Sequence, residues 1–83
     1  MKTNFQPAFK TLTDLGVPVY VHPDDDGNFS IDAEASGASK WVSYYGGASD
    51  WIFGVHPKVN EALRKCNLFA EWVNPGRLGV YRA

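Results

Sequence analysis

Turn-forming residues punctuate this chain at short intervals: Gly16, the stretch "PDDDGN" at 23–28, Gly46-Gly47, His56-Pro57 and Pro75-Gly76. Between these marks the apolar residues keep a helical period in some segments and a strand period in others. That change of period limits the chain to a small mixed α and β fold.

The first segment, "NFQPAFKTLTDLG", spaces Phe5, Ala8, Phe9, Leu12 and Leu15 as one helix face. Pro7 is tolerated in a first turn and Gly16 is a good stop, which predicts a helix over 5–15. "VPVYVH" then alternates Val17, Val19 and Val21 against Pro18, Tyr20 and His22, the pattern of a strand with one buried face. Pro18 lacks an N–H for a ladder and marks an edge. After the turn, "FSID" returns with Phe29 and Ile31 on one side and Ser30 and Asp32 on the other. "AEASGAS" is a connector. A third strand is expected at 40–45, with Val42 and Tyr44 opposed to Trp41, Ser43 and Tyr45, stopped by Gly46-Gly47. "ASDWIFGV" has no clean period and reads as a loop that tucks Trp51 and Phe53 inward.

Pro57 opens a second helix whose stripe is Val59, Ala62, Leu63 and Cys66. If this helix ran on to Val73, Leu68 and Trp72 would lie beside Glu61 on the solvent side. Ending it near Asn67, a residue suited to the left-handed stop position, leaves "LFAEWVNPGRLGVYR" as a hairpin around Pro75-Gly76. The hairpin is preferred because it explains both the turn residues and the β-rich end. The expectation is a single α+β domain over 1–83, ordered α-β-β-β-α-β-β. An antiparallel sheet of about five strands carries two helices on one face. Helix, stop, strand, turn and strand occur at 5–31 and again at 57–82, an echo of pattern more than of residues.

At 45% hydrophobic and 14% aromatic, the 83 residues hold enough apolar material for a core without staples. A domain of this size buries about 60% of its unfolded surface. The single Cys66 excludes an internal disulfide and suggests a reducing, cytoplasmic setting. "MKTNFQPAFKTLTDLG" has no apolar run of signal-peptide length, and no later segment has the length of a membrane span.

Net charge is −1, unevenly placed. Residues 1–50 set Lys2, Lys10 and Lys40 against Asp14, Asp24, Asp25, Asp26, Asp32, Glu34 and Asp50, a balance of −4. Residues 51–83 set Lys58, Arg64, Lys65, Arg77 and Arg82 against Glu61 and Glu71, a balance of +3. The chain lacks the basic excess that supplies affinity for phosphate backbones, which disfavours direct nucleic-acid binding.

The sequence argues against several chemistries. With Asp24, Asp26 and Asn28 on the first ligand positions of a calcium loop, Phe29 occupies the glycine position and Ala35 the bidentate glutamate position. Registering on Gly27 instead puts His22 first and Ala33 last. Zinc needs more Cys and His at short spacing. There is no Walker loop, and the glycines of "GGASDWIFG" do not follow G-x-G-x-x-G. Cys66 with His22 or His56 is the one conceivable nucleophile and base. However, Cys66 lies on an apolar helix stripe, as a small buried hydrophobe, and His56 before Pro57 reads as a helix-entry residue. No cofactor or metal is expected.

Surface recognition remains. With Phe69, Val73, Leu78 and Val80 taken as the hairpin's core set, Trp72 and Tyr81 join Tyr20, Trp41 and Tyr45 on the sheet face away from the helices. An exposed Trp72 would then contribute little to folding, with Trp51 the best protected tryptophan. Tyr and Trp suit interfaces because they bury area and still offer a polar atom. The competing reading folds the 46–56 loop over this face as a second core layer. Beside it, Asp24, Asp25, Asp26, Asp32 and Glu34 form an acidic hairpin, either a solvated turn or a docking site for a basic surface.

The sequence therefore favours a small non-enzymatic protein that binds another protein, with Tyr20, Trp41, Tyr45, Trp72, Tyr81 and the five carboxylates as candidate contacts. Phage and mobile-element inhibitors of host machinery, anti-CRISPR proteins among them, are often single domains of this type; no motif is shared with them. The alternatives are a small-ligand module using Trp41 and Tyr45, and an enzyme built on Cys66 and a histidine.

Overall fold

In a computed structural model that describes all residues from Met1 to Ala83, the first helix, α1, runs Phe5–Leu15. It buries Phe5, Ala8 and Leu12, and stops at Gly16 in the left-handed conformation (φ 94°). The Gly16 N–H closes on the Leu12 and Thr13 carbonyls, a pairing that glycine allows without Cβ strain. Two short strands follow, β1 (Val19–Tyr20) and β2 (Ser30–Asp32). After a 3-10 turn at Ala38–Lys40 and a long loop come α2 (Pro57–Lys65), β3 (Leu68–Asn74) and β4 (Arg77–Arg82).

The sheet has four antiparallel strands in the order β1-β2-β4-β3. Both helices cover one face. Phe29, Ile31, Leu78 and Val80 from the sheet meet Leu12, Val59 and Leu63 from the helices in a single core. Phe29 receives the edges of Phe5 and Phe9, with ring centroids 6.3 and 5.2 Å away. No helix is long and apolar enough to cross a membrane.

The α+β class, the two helices, the end of α2 and the C-terminal hairpin match the sequence reading. Asn67 takes the expected left-handed conformation (φ 61°), and the chain turns directly into β3. The strand expected at 40–45 does not join the sheet, which lowers the count from five to four. Val42 instead forms an isolated bridge with Val55. Ser43 N–H donates to the Gly54 carbonyl at 2.7 Å and His56 N–H to the Trp41 carbonyl at 2.8 Å. The segment pairs with a neighbour a dozen residues away, where closing the loop costs less entropy than reaching the sheet.

Two further expectations reverse. Val21 does not face the core and is exposed, because the chain leaves the ladder where Asp25 takes the His22 N–H at 2.8 Å. In β3, Leu68, Ala70 and Trp72 point to the core, while Phe69 and Val73 point out. Glu71 was the decisive residue: it is the strand's only charge, and turning it to solvent sends residues 70 and 72 inward.

Candidate functional site

The five aromatic residues assigned by sequence to one face are split. Tyr20 and Tyr81 lie on the sheet face away from the helices, where Tyr81 leans on Phe69 at 5.8 Å. Trp41 and Trp72 pack against the core on the helix side. Tyr45 is 89% exposed and touches Tyr44, which in turn stands edge-on to Trp72 at 5.3 Å. All three tryptophans are half-buried, so Trp51 is not singled out as the most protected. Trp51 and Trp41 flank His56, at 5.6 and 5.2 Å. Neither Trp41 nor Tyr45 lines the apolar groove beside β3.

His56 begins α2 as expected for a helix-entry residue: its Nδ1 accepts the Lys58 N–H at 3.0 Å. Cys66 is half-buried at the end of that helix rather than enclosed in the core.

The acidic hairpin folds back over the outer sheet face. Ser30, which points to that face, is wholly buried because Asp25 covers it and accepts its hydroxyl at 3.0 and 3.1 Å. Asn28 donates to the Val80 carbonyl at 2.7 Å and ties the loop to β4. Asp25 is thereby a structural carboxylate, while Asp24, Asp26 and Glu34 stay exposed. Asp32 is half-buried beside Arg77, its register partner on β4. Arg77 approaches Asp24 at 3.8 Å and offsets part of the acidic field. Tyr20 stands among these groups. Its hydroxyl pKa is raised above the ordinary 10.0, first by burial; Arg77 opposes the rise, while Asp32, Asp25 and Glu34 add to it.

The feature that sequence reasoning missed is at residues 52–55. Ile52 N–H donates to the Val55 carbonyl at 3.2 Å, and Val55 N–H returns to the Ile52 carbonyl at 3.0 Å. This is a two-residue hairpin turn. Its central residues, Phe53 and Gly54, both have positive φ (52° and 75°), as type I′ turns require. Gly54 is obligatory here, since a Cβ would drive into the Ser43 carbonyl. Phe53 is the anomaly. Asn or Asp normally takes this position, and a phenylalanine there costs about 1 kcal/mol or more. The Phe53 ring is nevertheless 87% exposed and Ile52 62% exposed, so burial repays none of that strain. The "IFGV" string carried a faint signal, two β-branched residues around X-Gly, but lacked the asparagine that makes such turns legible.

Between this tip and the edge strand β3 lies a groove of about 520 Å³, lined by Ile52, Phe53, Val55, Asn60, Phe69, Ala70, Glu71 and Trp72. Trp72 Nε1–H donates to the Phe53 carbonyl at 2.7 Å and fixes the tip against the strand. Neither family models, characterised proteins nor solved structures give a match to this chain, so the geometry itself must carry the functional reading.

Proposed function

We propose that the protein acts without catalysis, by binding another protein through the Ile52–Phe53 tip and the groove beside it. The observation that carries this reading is Phe53. A large apolar ring is held in solvent by a backbone conformation it disfavours, and strain that burial of the side chain does not repay clusters at binding sites. Tyr44 and Tyr45 extend the apolar surface on the same loop. Such an aromatic cluster offers large contact area at small entropic cost.

The acidic loop is secondary in this proposal. It joins β1 to β2, at the opposite edge of the sheet from the groove, with Asp25 used internally and Arg77 close by. Its exposed carboxylates Asp24, Asp26 and Glu34 suit the steering of a partner that carries a basic surface. An inhibitor or adaptor is the role a lone domain with such a surface serves best. The comparison with phage and mobile-element inhibitors remains one of type.

Affinity capture from the native host separates the two surfaces. The variant Ile52→Asp/Phe53→Asp is expected to lose the captured partner, and Asp24→Asn/Asp26→Asn to keep it with a weaker dependence on salt. Retention by the first variant and loss by the second would move the site to the acidic loop.

A further inference from the structure

The two edges of the sheet are finished differently. β1 is two residues long and follows Pro18, so it offers little for another strand to pair with. β3 is seven residues long and contains no proline or lysine. Its only irregularity is the register shift between Trp72 and Asn74.

The hydrogen bonds show which groups the β3 edge leaves open. Val80 N–H donates to the Phe29 carbonyl at 3.0 Å, so Leu78 and Val80 turn their backbone to β2, and Gly79 and Tyr81 turn theirs to β3. Phe69 and Glu71, opposite Tyr81 and Gly79, therefore face β4. Leu68, Ala70 and Trp72 direct their N–H and C=O away from the sheet. No backbone bond outside the β3–β4 pairing engages residues 68–74, and the groove runs along this side.

We infer that the groove receives an extended segment of another protein, which adds to β3 as a fifth strand. This rests on the proposed function and names the form of the partner. The open amides of Ala70 and Trp72 would supply main-chain pairing. Strand alternation sends every second side chain of the guest to the helix side. There the small Ala70, between Leu68 and Trp72, leaves a notch walled by Ile52 and Phe53. The intervening guest side chains fall on the outer face beside Glu71, which is exposed and has no ion-pair partner. A lysine or arginine opposite Glu71 is therefore favoured. The same carboxylate speaks against a second copy as the occupant: the register that pairs the whole of β3 with itself sets Glu71 against Glu71.

The test is selection of a displayed library of random nine-residue peptides on the full chain, followed by synthesis of the enriched peptides. The enriched sequences should carry apolar residues at alternate positions and a lysine or arginine at one position between them, opposite Glu71. The synthetic peptide should slow amide hydrogen exchange at Leu68, Ala70 and Trp72. N-methylation of its alternate nitrogens that face β3 should weaken binding at least tenfold, whereas methylating the others should leave it unchanged. Glu71→Lys should lower affinity for a basic peptide about tenfold, and a glutamate in that peptide should restore it. The inference is overturned by a selection without such alternation, by equal binding of both methylated peptides, or by dimerisation of the free chain through β3. If Phe53→Asn abolishes partner capture while methylation has no effect, strand addition falls and the tip remains the binding site.

Discussion

The indole N–H of Trp72 and the carbonyl of Phe53 meet at 2.7 Å, across nineteen positions of sequence. This bond joins the edge strand to the hairpin tip, and it makes Trp72 a supporting residue rather than an exposed anchor. Trp72 also packs on the core. Trp72→Ala should therefore cost about 2–3 kcal/mol, below the loss for a fully buried aromatic because the ring is half-buried. Trp72→Phe keeps most of the packing and loses the hydrogen bond, at about 1 kcal/mol. Urea melts of the two variants measure the difference, and equal, small losses would remove Trp72 from the core.

The three consecutive aspartates should respond unequally. Asp25 accepts from the His22 backbone and the Ser30 hydroxyl, and Ser30 is wholly buried. Asp25→Ala strands both donors and should cost about 2 kcal/mol. Asp24→Asn and Asp26→Asn, at exposed positions, should stay within about 0.5 kcal/mol of the parent. Thermal melts of the three single variants suffice.

Tyr20 gives a signature in alkali. Its pKa is raised in the fold, chiefly by burial, so the neutral hydroxyl is the favoured form. The contribution is fully present below the unfolded-state pKa near 10 and is lost as pH rises through the higher folded value. Stability should fall above about pH 10, and Tyr20→Phe should remove that part of the fall. A fall of the same steepness in the variant would assign it to other groups.

Gly54 is under the opposite constraint from Phe53. Its φ of 75° and the Ser43 carbonyl beside it leave no room for a methyl group. Gly54→Ala should cost about 2 kcal/mol and displace the tip, so binding should fall together with stability.

Periodicity made α1, the end of α2 and the C-terminal hairpin legible, because their stop and turn residues agree with their apolar spacing. The faces of β3 were not legible from hydrophobicity alone. Phe69 and Val73 oppose Leu68, Ala70 and Trp72, so both sides look apolar, and only Glu71 tells them apart. The 40–56 region misled for a different reason. Val42 and Tyr44 alternate as a strand would, but the local pairing of Val42 with Val55 consumes that pattern. Of the candidate contacts, the exposed Tyr45 adjoins the tip through Tyr44, while Tyr20 and Tyr81 lie on the far sheet face. The tip itself escaped notice because a phenylalanine stands where turn chemistry calls for asparagine.

That substitution supplies the most direct measurement. Phe53→Asn relieves a left-handed phenylalanine and gives up almost no burial, so unfolding free energy should rise by about 1 kcal/mol. If Phe53 is a contact residue, the same variant should bind its captured partner about thirtyfold more weakly, the loss of about 2 kcal/mol typical of a hot spot. Denaturant melts and binding titrations on one preparation read both quantities. A more stable variant with impaired binding is the predicted result; a more stable variant that binds as well as the parent would contradict the assignment of this tip as the binding site.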